Sequence, residues 1–131
     1  MVAVLGVTAA LVSYSPAPAA PSGPFAGTAD LGPARMELTV DPASAGANEL
    51  HVYLFDERSG APYDRARELA LSASQAELDI GPLALRPRRV GPGHYTVTRA
   101  ELAPAGEWTI EARALISDFD ELRGELEVPI R

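Results

Sequence analysis

From residue 36 onward, apolar positions recur at every second residue. In Met36-Glu37-Leu38-Thr39-Val40 the apolar side chains point one way and the polar ones the other. Leu50, Val52 and Leu54 alternate in the same manner with Glu49, His51, Tyr53 and Phe55. Tyr95 and Val97 alternate with His94, Thr96 and Thr98, and Trp108, Ile110, Ala112 and Ala114 with Glu107, Thr109, Glu111 and Arg113. Leu126, Val128 and Ile130 oppose Glu125, Glu127 and Pro129. A period of two marks strands with one buried face. Two weaker segments lie between, RELALSA at 67–73 and PLALRPRRV at 82–90. The first, rich in Ala and Leu, also suits a helical turn.

Turn-forming clusters separate these runs: DPASAGAN, DERSGAPYD, IGP, VGPG, APAG and SDFDE. Roughly seven strands in about 100 residues predict an all-β fold, an immunoglobulin-like antiparallel β-sandwich over residues 34–131. Its expected core is Leu50, Val52, Leu54, Tyr95, Val97, Trp108, Ile110, Leu126 and Val128. Pro129 cannot donate to a ladder, so the last strand belongs at an edge or a bulge. The segment Gly91-Pro92-Gly93-His94-Tyr95-Thr96-Val97 has the form that precedes an inner strand in such sandwiches. It predicts a tyrosine corner, with the Tyr95 hydroxyl bonding back across the loop and Val97 where a Cys often stands.

The alternation does not reach the start of the chain. Residues 1–12 form an apolar run interrupted by Gly6 and Thr8, and the first charged side chain is Asp30. A full span needs about 20 apolar residues, and a signal peptide wants a positively charged start. The stretch therefore reads as the end of a transmembrane helix over residues 1–14, with Tyr14 at the interface. A cleavage site around Ala17 to Ala20 keeps the signal-peptide alternative open. Cytoplasmic flanks are rich in Lys and Arg, and none occurs at this exit, which places the following domain on the extracytoplasmic side. Residues 15–33 read as a Pro/Ala-rich linker, kept extended by Pro and soluble by Gly and Ser. Deleting residues 1–29 is accordingly expected to leave the sandwich intact.

Charge and composition narrow the function. The net charge is -7, from 18 acidic and 11 basic residues, the opposite of a nucleic-acid backbone binder. Arg86, Arg88 and Arg89 read as a solvated strand face. There is no cysteine, which removes disulfides, thiolate metal sites and Cys nucleophiles together. No G-x-S-x-G, H-E-x-x-H or glycine-rich phosphate loop occurs, so the chain does not read as an enzyme. A small secreted hydrolase would need a pocket lined by a His and a carboxylate.

The chemistry on offer is the histidine pair His51 and His94, the candidate metal ligands. Both fall on the polar phase of their strands and should be exposed. Imidazole suits Cu(II) and thioether suits Cu(I), but Met36, in phase with Leu38 and Val40, is expected in the core. Two histidines on separate strands make at best half a site, and two unrelated surface histidines are the plainer alternative. Asp118, Asp120 and Glu121 match no calcium loop and read as a solvated turn.

Four segments then fall in a suggestive order: V-D-P-x-x-x-G-x-N-E-L-H-V-Y-L-F-D at 40–56, G-x-x-Y-D at 60–64, G-P-G-H-Y at 91–95 and A-G-E-W-T-I-E-A-R at 105–113. Behind an apolar, Pro-rich start, this order resembles the C-terminal region of CopD-type copper resistance and transport membrane proteins. There a small β-sandwich similar to the YtkA-like and FixH-like domains follows the last membrane helix. The resemblance implies copper handling at the bacterial cytoplasmic membrane, with the domain on its extracytoplasmic side. It implies as partners the transmembrane body of the same transporter and a periplasmic copper-binding protein. It does not assign copper to His51 or His94. The alternative is a metal-independent sandwich that docks another membrane or periplasmic protein. His51 and His94 converging on one exposed face would favour copper, and opposite faces would favour docking.

Overall fold

The structure, a computed structural model, describes residues 23–131. Among these residues nine strands form two antiparallel sheets. The strands are β1 (Phe25–Asp30), β2 (Ala34–Asp41), β3 (Gly46–Asp56), β4 (Glu68–Gln75), β5 (Ile80–Leu85), β6 (Arg88–Gly91), β7 (His94–Leu102), β8 (Gly106–Leu115) and β9 (Glu121–Ile130). The first sheet runs β1-β2-β3-β7-β6 and the second β5-β4-β8-β9. One cluster of buried side chains from both sheets fills the space between them, with Trp108, Met36, Leu38, Leu50, Leu54 and Ile110 fully enclosed.

The period-two segments all became strands with the predicted face inward. Leu50, Val52, Leu54, Tyr95, Val97, Trp108, Ile110 and Val128 are buried together, while Leu126 is only partly covered near the end of the layer. Segment 67–73 is strand, not helical turn, and extends to Gln75. Pro129 does lie on an edge strand, because β9 ends the second sheet.

Two expectations are corrected. The first concerns the linker at 15–33, because β1 occupies residues 25–30 inside it and pairs with β2 from Phe25↔Val40 to Asp30↔Arg35. Its inward residues are Phe25, Gly27 and Ala29, too small a set to show as alternation. A Cβ at Gly27 would lie 2.9 Å from the Phe25 ring and 3.2 Å from Leu126, so a larger residue there would displace one of these side chains. The second concerns the single strand at 82–90. The chain leaves the second sheet after Leu85, passes Arg86 and Pro87, and enters the first sheet as β6. Pro87 cannot donate a ladder hydrogen bond, which marks the break. The reading of residues 1–14 as a helix end lies outside the described residues. Among the described residues no helix is long and apolar enough to cross a membrane.

Candidate metal-binding site

The register of β3 against β7 sets Tyr53 opposite His94 and His51 opposite Thr96. Side chains on a strand alternate between faces, so His51 and Tyr53 project from the outer face of the first sheet beside His94. The two histidines, far apart in sequence, meet there. His51 Nδ1 lies 3.4 Å from His94 Nε2, and the ring centroids are 5.6 Å apart. His94 stacks on Tyr53 at 4.2 Å with planes 16° apart, which fixes its orientation. Tyr53 in turn faces Phe55 at 6.3 Å, and the Arg35 guanidinium lies 5.6 Å over the Phe55 ring. On the other side, Glu49 Oε2 stands 3.5 Å from His51 Nε2. The His51 side chain is 34% exposed, more covered than a free surface residue but open to solvent.

The remaining segment residues are spent on structure. Asn48 is buried; its Oδ1 accepts from the Ala43 amide at 2.7 Å, and its Nδ2 donates to the Ser44 and Gly46 carbonyls. That holds the β2–β3 turn. Trp108, fully buried, donates from Nε1 to the Pro104 carbonyl at 2.9 Å. Asp64 accepts from Arg89 Nη2 at 2.6 and 2.8 Å, tying the loop after β3 to β6. Leu54 donates its amide to the Gly93 carbonyl, and Tyr63 donates to the Leu54 carbonyl. Gly93 sits at φ +62, where a Cβ would meet the Leu54 carbonyl at 2.7 Å. The expected tyrosine corner is not formed: among the described residues the Tyr95 hydroxyl makes no hydrogen bond. Its ring is buried beside the Arg89–Asp64 pair, and burial pushes its hydroxyl above the ordinary tyrosine range.

The other candidates are likewise committed. Asp118 pairs with Arg67 at 3.0 Å, Glu121 with Arg123 at 3.6 Å, and Asp120 shares the Ser117 hydroxyl. Arg89 is held by Asp64, while Arg86 and Arg88 are exposed. Met36 is fully buried. A cleft of about 370 Å³ between β5 and β7 and another of about 450 Å³ near Gly32, Asp56 and Arg65 include neither histidine.

Two neutral imidazole nitrogens 3.4 Å apart fit a single transition-metal ion. At metal–nitrogen distances of about 2.0–2.1 Å, that separation corresponds to a near-tetrahedral ligand angle. A tetragonal ion with cis ligands asks for about 2.9 Å, a closure within reach of half-exposed side chains. Among the described residues no group of three or more His, Cys, Asp or Glu side chains is placed to hold a metal. The pair therefore offers two ligands and leaves the outward positions open. Sequence periodicity supplied the outer face of each histidine. It did not reveal Tyr53 and Glu49 as neighbours of the pair, although both lie two residues from His51 on the same face.

No protein-family model matches the chain, and no curated protein or solved structure matches it.

Proposed function

We propose that this is an immunoglobulin-like sandwich serving as the extracytoplasmic domain of a bacterial copper transport or resistance membrane protein, where it holds copper transiently rather than catalysing a reaction. The observation that carries the reading is the 3.4 Å approach of His51 Nδ1 to His94 Nε2 on an open sheet face. The sequence resemblance at 40–56 and 91–95 supports it, since the two histidines fall within those two segments. His51 would ligate through Nδ1 and His94 through Nε2. Both must be neutral to do so, so uptake displaces protons and weakens on acidification. The open positions allow a periplasmic copper-binding protein or the membrane body to add a ligand before the histidines let go. With two protein ligands the domain binds weakly, as a way-station must.

Calorimetric titration of the chain with Cu(II) tests the proposal. One weakly held ion per chain is expected, and the double variant His51→Ala/His94→Ala should take up none. No uptake by the unaltered chain would overturn it. One observation favours the docking alternative: Phe119, at the tip of the β8–β9 turn, is 95% exposed and offers an apolar anchor. Docking through Phe119 would survive loss of both histidines.

A further inference from the structure

The histidine pair is asymmetric, and the asymmetry comes from Glu49. Glu49 precedes His51 by two residues on β3, so the strand's period brings both to the outer face. Among the described residues the Glu49 carboxylate has one contact with a basic side chain, His51 Nε2 at 3.5 Å. The nearby Arg99 is engaged instead by Glu101 at 3.1 Å. A carboxylate can only accept. A neutral imidazole carries its proton on one nitrogen, and a carboxylate 3.5 Å from Nε2 favours the proton on that side electrostatically. The lone pair then sits on Nδ1, the atom facing His94 Nε2 at 3.4 Å. With His51 in that tautomer, His94 Nε2–H would be the donor across the 3.4 Å contact.

We infer that Glu49 is a positioning residue that holds His51 in its Nε2–H tautomer, so that the Nδ1 lone pair faces His94 Nε2 and is ready for a metal ion. The inference rests on the copper reading of this pair. A metal ion entering there takes the place of that proton: His94 loses its Nε2 proton to solvent and takes one up at Nδ1, so that it coordinates through Nε2 as a neutral imidazole. Carboxylate partners of ligating histidines act in this way, fixing the tautomer and the ring and raising ligand basicity.

The test reads the tautomer itself. Nitrogen-15 NMR of the metal-free chain, labelled in histidine, should show His51 protonated at Nε2. Glu49→Ala should convert that signal to a mixture of tautomers and weaken Cu(II) binding about 10–100-fold. Glu49→Gln keeps an accepting oxygen and should restore much of the Nε2–H preference. Glu49 is half exposed, so neither change should disturb folding. A His51 protonated at Nδ1 in the unaltered chain, or a tautomer unmoved by Glu49→Ala, overturns the inference. Copper titration of the unaltered chain separately tests the underlying reading, which fails if no ion is taken up whatever the tautomer proves to be.

Discussion

The two sheets present opposite solutions on their outer faces. On the second sheet the outward positions of β8 and β9 are mostly charged, and both arginines there, Arg113 and Arg123, are paired with carboxylates. Like charges stand directly opposite each other, Glu111↔Glu125 and Arg113↔Arg123. The attractive contacts therefore run along the diagonals, with Arg123 at 3.9 Å from Glu111 and Arg113 at 3.9 Å from Glu121. On the first sheet the corresponding positions of β3 and β7 carry two imidazoles, two aromatic rings and a carboxylate in contact. The same alternation thus makes a face of charged pairs on one sheet and a face of imidazoles and aromatic rings on the other. What distinguishes them is the kind of side chain: on the second sheet arginines pair with carboxylates, whereas on the first two imidazole nitrogens meet at 3.4 Å.

The largest way to disturb both faces at once is to remove a layer beneath them. A chain beginning at residue 31 lacks β1, which covers the edge of β2 and brings in Phe25 and Ala29. Compared with a chain beginning at residue 23, it should lose on the order of 5 kcal/mol, a large part of a domain's stability, as read by denaturant unfolding. Trp108→Ala removes the largest enclosed side chain and its bond to Pro104. It should cost about 3–5 kcal/mol and abolish copper uptake only indirectly, through unfolding. A cooperatively melting Trp108→Ala domain with little loss of stability would count against the shared core.

A smaller effect comes from acid, at the loops rather than the faces. Hydrogen bonding from Arg89 holds the Asp64 carboxyl below the usual carboxylate range, and the Ser59 and Arg58 amides do the same for Asp56. Folding depresses both values, so both groups contribute stability that is complete above the unfolded carboxylate range. That contribution is lost as pH falls through the lower folded values. Replacing both by Asn should flatten the acid limb of the stability profile measured by urea unfolding between pH 6 and the onset of acid denaturation. The smallest effect should come from Arg123→Ala on the second sheet. Exposed pairs of this kind are worth about 0–1 kcal/mol, and copper binding should be untouched. A change in copper affinity in that variant would erase the distinction between the faces.

Much of this contrast was written in the period. The burial of Leu50, Val52 and Leu54 and the outward phase of His51 followed from alternation alone, because a slip of one residue would expose the whole apolar set. Three things were not legible there. β1 was hidden because Gly27 and Ala29, its inward residues after Phe25, carry almost no apolar signal. The split of 82–90 was hidden because each half is too short for a pattern, and Pro87 shows a break without saying which sheet follows. The meeting of His51 with His94 was hidden because strand adjacency, β3 beside β7, is a property of the assembled sheet. The segments 60–64 and 91–95, which carried part of the family resemblance, are structural apart from His94. Their Tyr63, Asp64 and Gly93 fasten the loop after β3 to the β6–β7 hairpin.

The central claim is that one copper ion is held by two particular nitrogens. Electron paramagnetic resonance of the chain loaded with one equivalent of Cu(II) measures this most directly, through the nitrogen splitting on the copper signal. Two coordinating imidazole nitrogens are predicted in the unaltered chain, one in His51→Ala and one in His94→Ala, with melting curves of the metal-free variants within about 0.5 kcal/mol of the original. The same nitrogen count in all three chains, or a signal from free aqueous copper in the unaltered one, would contradict the account.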